Sequence, residues 1–236
     1  MYSRLVQPIG VAIGLLVAVV VFLLALDGGG FAVPPRSVLG ITLWWAILLA
    51  AVLDLLPAGP VPKPILLGAG FLAAFAVWTG LSTFWAPSAE DAFIELARVV
   101  LYLGVLVVAT GIALSRRTRS AAVGLATGIV AVGAISLVSR FFPDLVAPGP
   151  LGETVASARS RLSFPVDYWN GLAELVALAA PLLLAIAVGA RSTVSRSLAL
   201  VPIPAVAAVS YLASSRGGFL VALTGVLLFL GFSDGR

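Results

Sequence analysis

Residues 8–26 read PIGVAIGLLVAVVVFLLAL, a run without a single charged or hydrogen-bonding side chain. A helix needs about 20 predominantly apolar residues to cross the hydrocarbon core of a bilayer. The run lacks the alternating polarity of a barrel strand, so we predict a transmembrane helix. Arg4 precedes this run, as a basic residue precedes the apolar core of a signal peptide. However, no convincing cleavage site follows in Leu26-Asp-Gly-Gly-Gly.

The rest of the chain repeats this pattern. Of the 236 residues, 61% are hydrophobic and only 10% are charged, whereas soluble domains carry about 25% charged residues. Turn-forming breaks divide the apolar sequence into runs at 8–26, 38–56, 65–84, 92–114, 120–142, 171–190, 198–213 and 217–232. We therefore predict an all-α, polytopic integral membrane protein with about eight transmembrane helices. We expect a single bundle over residues 1–236, with one long loop at about 143–170.

The composition excludes several kinds of chemistry. The chain has no cysteine and no histidine, which removes disulfides, thiolate metal sites and the commonest general base. It contains neither a phosphate-binding G-x-x-x-x-G-K-[ST] loop nor carboxylates at metal-ligand spacing. We predict no metal and no cofactor, and we assign no catalytic residue. The net charge of +4 comes from basic residues scattered in short loops, so we expect no nucleic-acid partner.

Lysine and arginine in short loops predict the orientation. One side holds eight of them, namely Arg4, Lys63, Arg116, Arg117, Arg119, Arg191, Arg196 and Arg236. The other side holds four, namely Arg36, Arg159, Arg161 and Arg216. The difference predicts a multi-pass protein of the inner (cytoplasmic) membrane with both termini in the cytoplasm. The long loop is then extracytoplasmic.

Ionisable residues gather towards the outer side in this topology. They are Glu95, Arg98, Arg140, Arg159, Arg161, Asp167, Glu174 and Arg216. Such groups are expensive within a membrane and usually face a cavity or a partner, so we expect an arginine-rich cavity in the outer half of the bundle. Individual residues of this group can also serve purely structural roles. Arg98 and Arg140 can extend to the lipid headgroups, Glu95 and Arg98 can pair along one helix, and Glu174 can serve the dipole at a helix start.

Arginine is the residue that binds phosphate in a bidentate manner, and 13 of the 14 basic residues are arginine. At bilayer depth on the outer side, a natural phosphate ligand is a lipid-carrier diphosphate with its polyprenyl tail along apolar helices. Arg36 lies on the same side but outside the stretches quoted below, and we expect it to tolerate replacement.

Three stretches carry a family resemblance. They are residues 78–93, WTGLSTFWAPSAEDAF, continuing to Arg98 and Tyr102; residues 161–173, RLSFPVDYWNGLA; and residues 214–220, SSRGGFL. Together they resemble the O-antigen ligase and O-antigen polymerase-like family of membrane glycosyltransferases. The resemblance covers most of the chain after Trp78.

The resemblance implies a transferase that moves a glycan from undecaprenyl diphosphate to an acceptor hydroxyl at the outer face of the cytoplasmic membrane. Arg161 and Arg216 match the family's diphosphate-binding arginines, with Arg159 beside them, and Asn170 is expected to brace the loop. Guanidinium groups around a departing diphosphate would stabilise the charge that develops as the glycosidic bond breaks. Asp167, Glu174, Arg98 and Arg140 are expected to support this site.

The chain departs from the family in one respect. The family has a further extracytoplasmic loop with a histidine proposed as general base, followed by more spans, whereas this chain has no histidine. We therefore expect the amino-terminal portion of a longer protein, which is an enzyme only if a carboxyl-terminal half completes it. The alternatives are a transporter or flippase for a lipid carrier or small molecule, with a helix broken near Pro202 and Pro204, and a non-catalytic membrane subunit.

Overall fold

The computed structural model describes residues 2–57, 59–147, 149 and 159–233. Within these ranges all regular structure is helical. The helices are α1 (Tyr2–Leu26), α2 (Val33–Val52), α3 (Lys63–Ser82), α4 (Ala89–Leu114), α5 (Thr118–Phe141), α6 (Trp169–Ala177), α7 (Ala179–Val188), α8 (Thr193–Leu200), α9 (Ile203–Ala213) and α10 (Arg216–Ser233), with a short 3₁₀ turn at Gly28–Gly30.

The chain is an all-α polytopic membrane protein. Seven helical segments of the described residues are long and apolar enough to span a bilayer, and Arg216–Phe232 is a further, shorter apolar helix. Two of the seven segments consist of two helices each, α6 with α7 and α8 with α9. The predicted fold class and the prediction of about eight spans are confirmed.

The sequence places the second span too late. Helix α2 begins at Val33, before the predicted start at 38, and ends at Val52, before the predicted end at 56. Pro34 and Pro35 look like a break in the sequence, but a proline is tolerated in the first turn of a helix because its missing N–H has no partner there. At the other end, Asp54 adopts a positive φ of 56° and ends the helical path.

The chain forms two compact units, residues 1–30 with 119–236, and residues 31–118. The expectation of a single bundle over residues 1–236 stays a prediction. The unit of residues 31–118 contains α2, α3 and α4, and α4 packs against both other helices. The indole Nε1 of Trp44 donates a hydrogen bond to the carbonyl oxygen of Val100 at 3.1 Å, which fixes α2 against α4.

The other unit contains α1 and α5 to α10. Within it, the backbones of α1 and α5 approach each other closely. A side-chain carbon on Gly124 of α5 would collide with the carbonyl oxygen of Gly14 on α1. Small residues recur every four positions on both helices, at 10, 14 and 18 and at 120, 124 and 128. This spacing lets membrane helices approach closely, since lipid offers no hydrophobic drive for their association.

The core of this unit lies between α5, α6 and α9. Its fully buried side chains include Ile129, Val132, Leu172, Val176 and Val209. Leu162 from the long loop is buried in the same cluster, so the end of this loop is part of the core. The predicted loop at 143–170 falls partly outside the described residues, at 148 and 150–158.

Candidate functional site

Arg161 is held on the first residue of α6. Its guanidinium carbon lies 4.9 Å from the ring centroid of Trp169, a cation–π contact worth about 1 kcal/mol. The side chain is half-buried and forms no ion pair with any carboxylate in the part of the chain that the structure describes. The stack therefore orients the guanidinium while leaving its charge uncompensated by these carboxylates.

The residues after Arg161 attach it to the end of α9. The N–H of Leu162 donates to the carbonyl oxygen of Leu212 at 3.0 Å, and Leu162 and Ser163 are both buried. This anchor places Arg161 next to the carboxyl-terminal turn of α9, directly before the connection to α10.

The second predicted site arginine, Arg216, is the first residue of α10 and directly follows that connection. Ser214 adopts a left-handed conformation with a φ of 52° and ends α9. The hydroxyl of Ser215 then accepts a hydrogen bond from the N–H of Gly218 at 3.1 Å, as the side chain before a helix commonly does. A side-chain carbon on Gly218 would lie 2.6 Å from the Cβ of Ala173 in α6, so only glycine fits. Arg216, in the stretch SSRGGFL, is exposed. It has no ion-pair partner among the described residues.

Both arginines belong to segments that contact the same part of α6. Trp169, which stacks with Arg161, and Ala173, which contacts Gly218, are four residues apart and so share one face of the helix. Glu174 is exposed in the next position, and its Oε1 would lie 3.4 Å from a side-chain carbon on Gly217. The structure thus brings together the segments of Arg161, Arg216 and Glu174.

Asn170 and Asp167 have different surroundings. The amide of Asn170 donates to the hydroxyl of Tyr168 at 3.0 Å, a contact within the loop end. Asp167 adopts a φ of 55°, and its Oδ1 is buried without a hydrogen-bond partner among the residues that the structure describes. Gly28 and Gly149 lie against this carboxyl group. Burial raises the pKa of Asp167 above its ordinary value of 3.8 and thereby favours the neutral acid.

The remaining predicted residues lie further out. Arg140 is exposed in the last turn of α5, where a cation is favoured by the helix dipole. It lies two turns beyond Gly133, which packs against Val209, so it is at the same end of the unit as Arg216. Arg159 is exposed at the start of the segment that leads to Arg161.

Arg98 belongs to the unit of residues 31–118. Its Nη1 pairs with the Oε2 of Glu95 at 2.8 Å, one turn earlier on α4. Its guanidinium carbon lies 6.0 Å from the ring centroid of Phe31. The pairing along one helix, which the sequence left open, is therefore present.

One arginine has surroundings that its sequence position does not indicate. Arg36, for which we expected no role beyond topology, is only 8% exposed. It lies in the first turn of α2, next to the two prolines that look like a loop in the sequence. Recognising Pro34 and Pro35 as a helix start is the signal that would have placed it inside a helix.

No protein-family model, no curated protein and no solved structure matches the chain. The assignment of a function therefore depends on the residues themselves.

Proposed function

We propose that the chain binds a glycan linked to a polyprenyl diphosphate, and that it acts in the transfer of that glycan to an acceptor at the outer face of the cytoplasmic membrane. The observation that carries the proposal is the stacked guanidinium of Arg161, which lacks a described carboxylate partner and is tied through Leu162 to the helix that precedes Arg216.

The chemistry of the arginines favours a diphosphate. A guanidinium group offers a planar fork of donors that matches two phosphate oxygens, and it stays charged at any relevant pH. Arg161 cannot rotate freely because it rests on Trp169, so its fork is preorganised. Arg161 and Arg216 together would bind both phosphates and would stabilise the negative charge that the carrier gains when the glycosidic bond breaks.

The neighbouring carboxylates do not pair with Arg161 or Arg216 in the described structure. Burial shifts Asp167, the acidic residue of the same segment, towards its neutral form. Glu174 does not approach Arg216 within ion-pair distance in the described structure. The apolar, lipid-facing surfaces of the helices offer the polyprenyl tail an environment as hydrophobic as the surrounding lipid.

The test is binding of a polyprenyl diphosphate analogue to the detergent-solubilised chain. We expect Arg161→Lys and Arg216→Lys each to weaken binding by about ten- to a hundred-fold, because a charge-assisted hydrogen bond is worth about 1.5–3 kcal/mol. Lysine keeps the charge but loses the fork, so each variant should resemble the alanine variant more than the wild type.

The matched control is Arg191→Lys. Arg191 is also exposed and lies between α7 and α8, outside the proposed site. Thermal unfolding of each variant checks that the fold is retained. Equal binding by the wild type, both site variants and the control would leave the arginines without a diphosphate and would refute the proposal.

A further inference from the structure

A groove lies between α2 and α4, within the unit of residues 31–118. It has a volume of about 690 Å³, inside the range of about 300–1,000 Å³ that small-molecule sites occupy. Its walls are mostly apolar and aromatic, with Trp44, Trp45, Leu48 and Phe93 among them. One end of the groove differs, because Arg36 and Ser37 line it.

Arg36 brings a positive charge to that end. The side chain is 8% exposed, and Nη1 makes a long hydrogen bond of 3.4 Å to the carbonyl oxygen of Phe31. Within the described ranges no carboxylate pairs with it. The neighbouring Arg98, which also approaches Phe31, is compensated by Glu95. A buried guanidinium without a counter-ion is costly, so the groove favours an anion at this end.

The start of α2 adds to the positive electrostatic potential at this end of the groove. Ala32 precedes the helix and provides no side chain to cap it. The amino-terminal end of a helix carries a partial positive charge. Here this charge acts through the helix dipole, because Pro34 and Pro35 supply no N–H and the N–H of Arg36 already donates to the carbonyl oxygen of Ala32. Arg36 lies in this first turn, where a cation is disfavoured unless an anion accompanies it.

The length of the groove indicates what is attached to the anion. From Arg36 to Leu48 the helix rises about 18 Å at 1.5 Å per residue, which is close to half of the roughly 30 Å hydrocarbon core. Ile41 and Trp45 along the groove are 61% and 59% exposed, so it is open along its side. A chain attached to a headgroup at Arg36 would run along the groove to about the middle of the bilayer.

We propose that this groove binds one anionic phospholipid, with its phosphate at Arg36 and one acyl chain along the face formed by Trp44, Trp45 and Leu48. The length of one leaflet favours an acyl chain over a long polyprenyl tail. All residues of this site belong to the unit of residues 31–118, so the proposal does not depend on the proposed diphosphate site.

The test is native mass spectrometry of the full chain in mild detergent, titrated with phosphatidylglycerol. We expect one lipid to bind tightly to the wild type and about ten- to a hundred-fold more weakly to Arg36→Gln. Gly40→Leu should weaken binding too, because Gly40 lines the groove and its added side chain would enter open space.

The matched control is Gly68→Leu on α3. A side-chain carbon at Gly68 also meets nothing within 4 Å, and this residue lies outside the groove lining, so binding should equal that of the wild type. The Gly40 variant keeps Arg36 and tests the groove even if Arg36→Gln fails to fold.

Four results would overturn the proposal. Equal affinity for zwitterionic phosphatidylcholine would show that the charge is not recognised. Tight binding of inorganic phosphate, unaffected by Gly40→Leu, would indicate a site for the free anion. Tighter binding of a polyprenyl monophosphate would assign the groove to a different lipid. Wild-type affinity in Gly40→Leu would place the acyl chain elsewhere.

Discussion

Arg161, Arg216 and Arg36 carry the same charge in three different surroundings. Arg161 is fixed on an aromatic ring, Arg216 is exposed at a helix start, and Arg36 is buried in the first turn of α2. The family resemblance implies that the first two act as a pair. It does not predict the burial of Arg36, because burial depends on the packing of α2 against α4, which no local pattern encodes.

The partly buried carboxyl group of Asp167 makes stability depend on pH. Its pKa lies above 3.8 in the folded chain, so the folded state binds this proton more tightly than the unfolded state does. The free energy of unfolding should therefore fall as the pH rises from 3.8 through the folded pKa. Asp167→Asn should remove this fall in the free energy of unfolding. Relative to the wild type, the variant should therefore gain stability between acid and neutral pH.

Thermal unfolding of the detergent-solubilised chain over a pH series measures the effect. Asp144→Asn changes an exposed carboxylate in the same loop and is the control. A pH profile for Asp167→Asn identical to that of the wild type would contradict the expectation.

At the scale of elements, apolar run length predicts most helices to within a few residues. Helix α4 begins at Ala89, close to the predicted 92, because Ser88 caps it by accepting a hydrogen bond from Asp91. Hydropathy does not predict the break between α6 and α7 or the break between α8 and α9, since the sequence stays apolar across both. The second break coincides with the helix that the transporter alternative expects to be broken near Pro202 and Pro204. Prolines supply the missing signal. Pro181 lies in the first turn of α7 and Pro202 precedes α9.

The contact between α1 and α5 should be the most sensitive to an added side chain. At Gly124 the obstacle is the backbone of Gly14, which cannot move aside as a side chain can. We expect Gly124→Leu to destabilise the fold by about 3 kcal/mol, at the upper end for overpacking.

Denaturant or thermal unfolding in detergent gives this difference. Gly70→Leu is the matched control, because a side-chain carbon at Gly70 in α3 meets nothing within 4 Å. Equal stability of the two variants would show that the helices do not approach as closely as described.

The orientation of the protein in the membrane is predicted by charge counting and is testable by reporter fusions. We expect a fusion at Arg117 to be active only for a cytoplasmic reporter, and a fusion at Asp144 only for an extracytoplasmic one. A fusion at Arg191 should repeat the result at Arg117, because two spans separate these loops. The opposite pattern would move Arg161 and Arg216 to the cytoplasmic side and contradict the proposed function.

The glycine contact between α1 and α5 also bears on biosynthesis. Gly14 and Gly124 meet although the helices of the other unit lie between them in the chain. At 5–20 residues per second the ribosome delivers α5 about 5–20 s after α1. Residues 31–118 are continuous and can assemble during that interval, whereas α1 must wait in the membrane with its glycine face in contact with lipid. Helix α1 thus waits until α5 has been made before it acquires this partner.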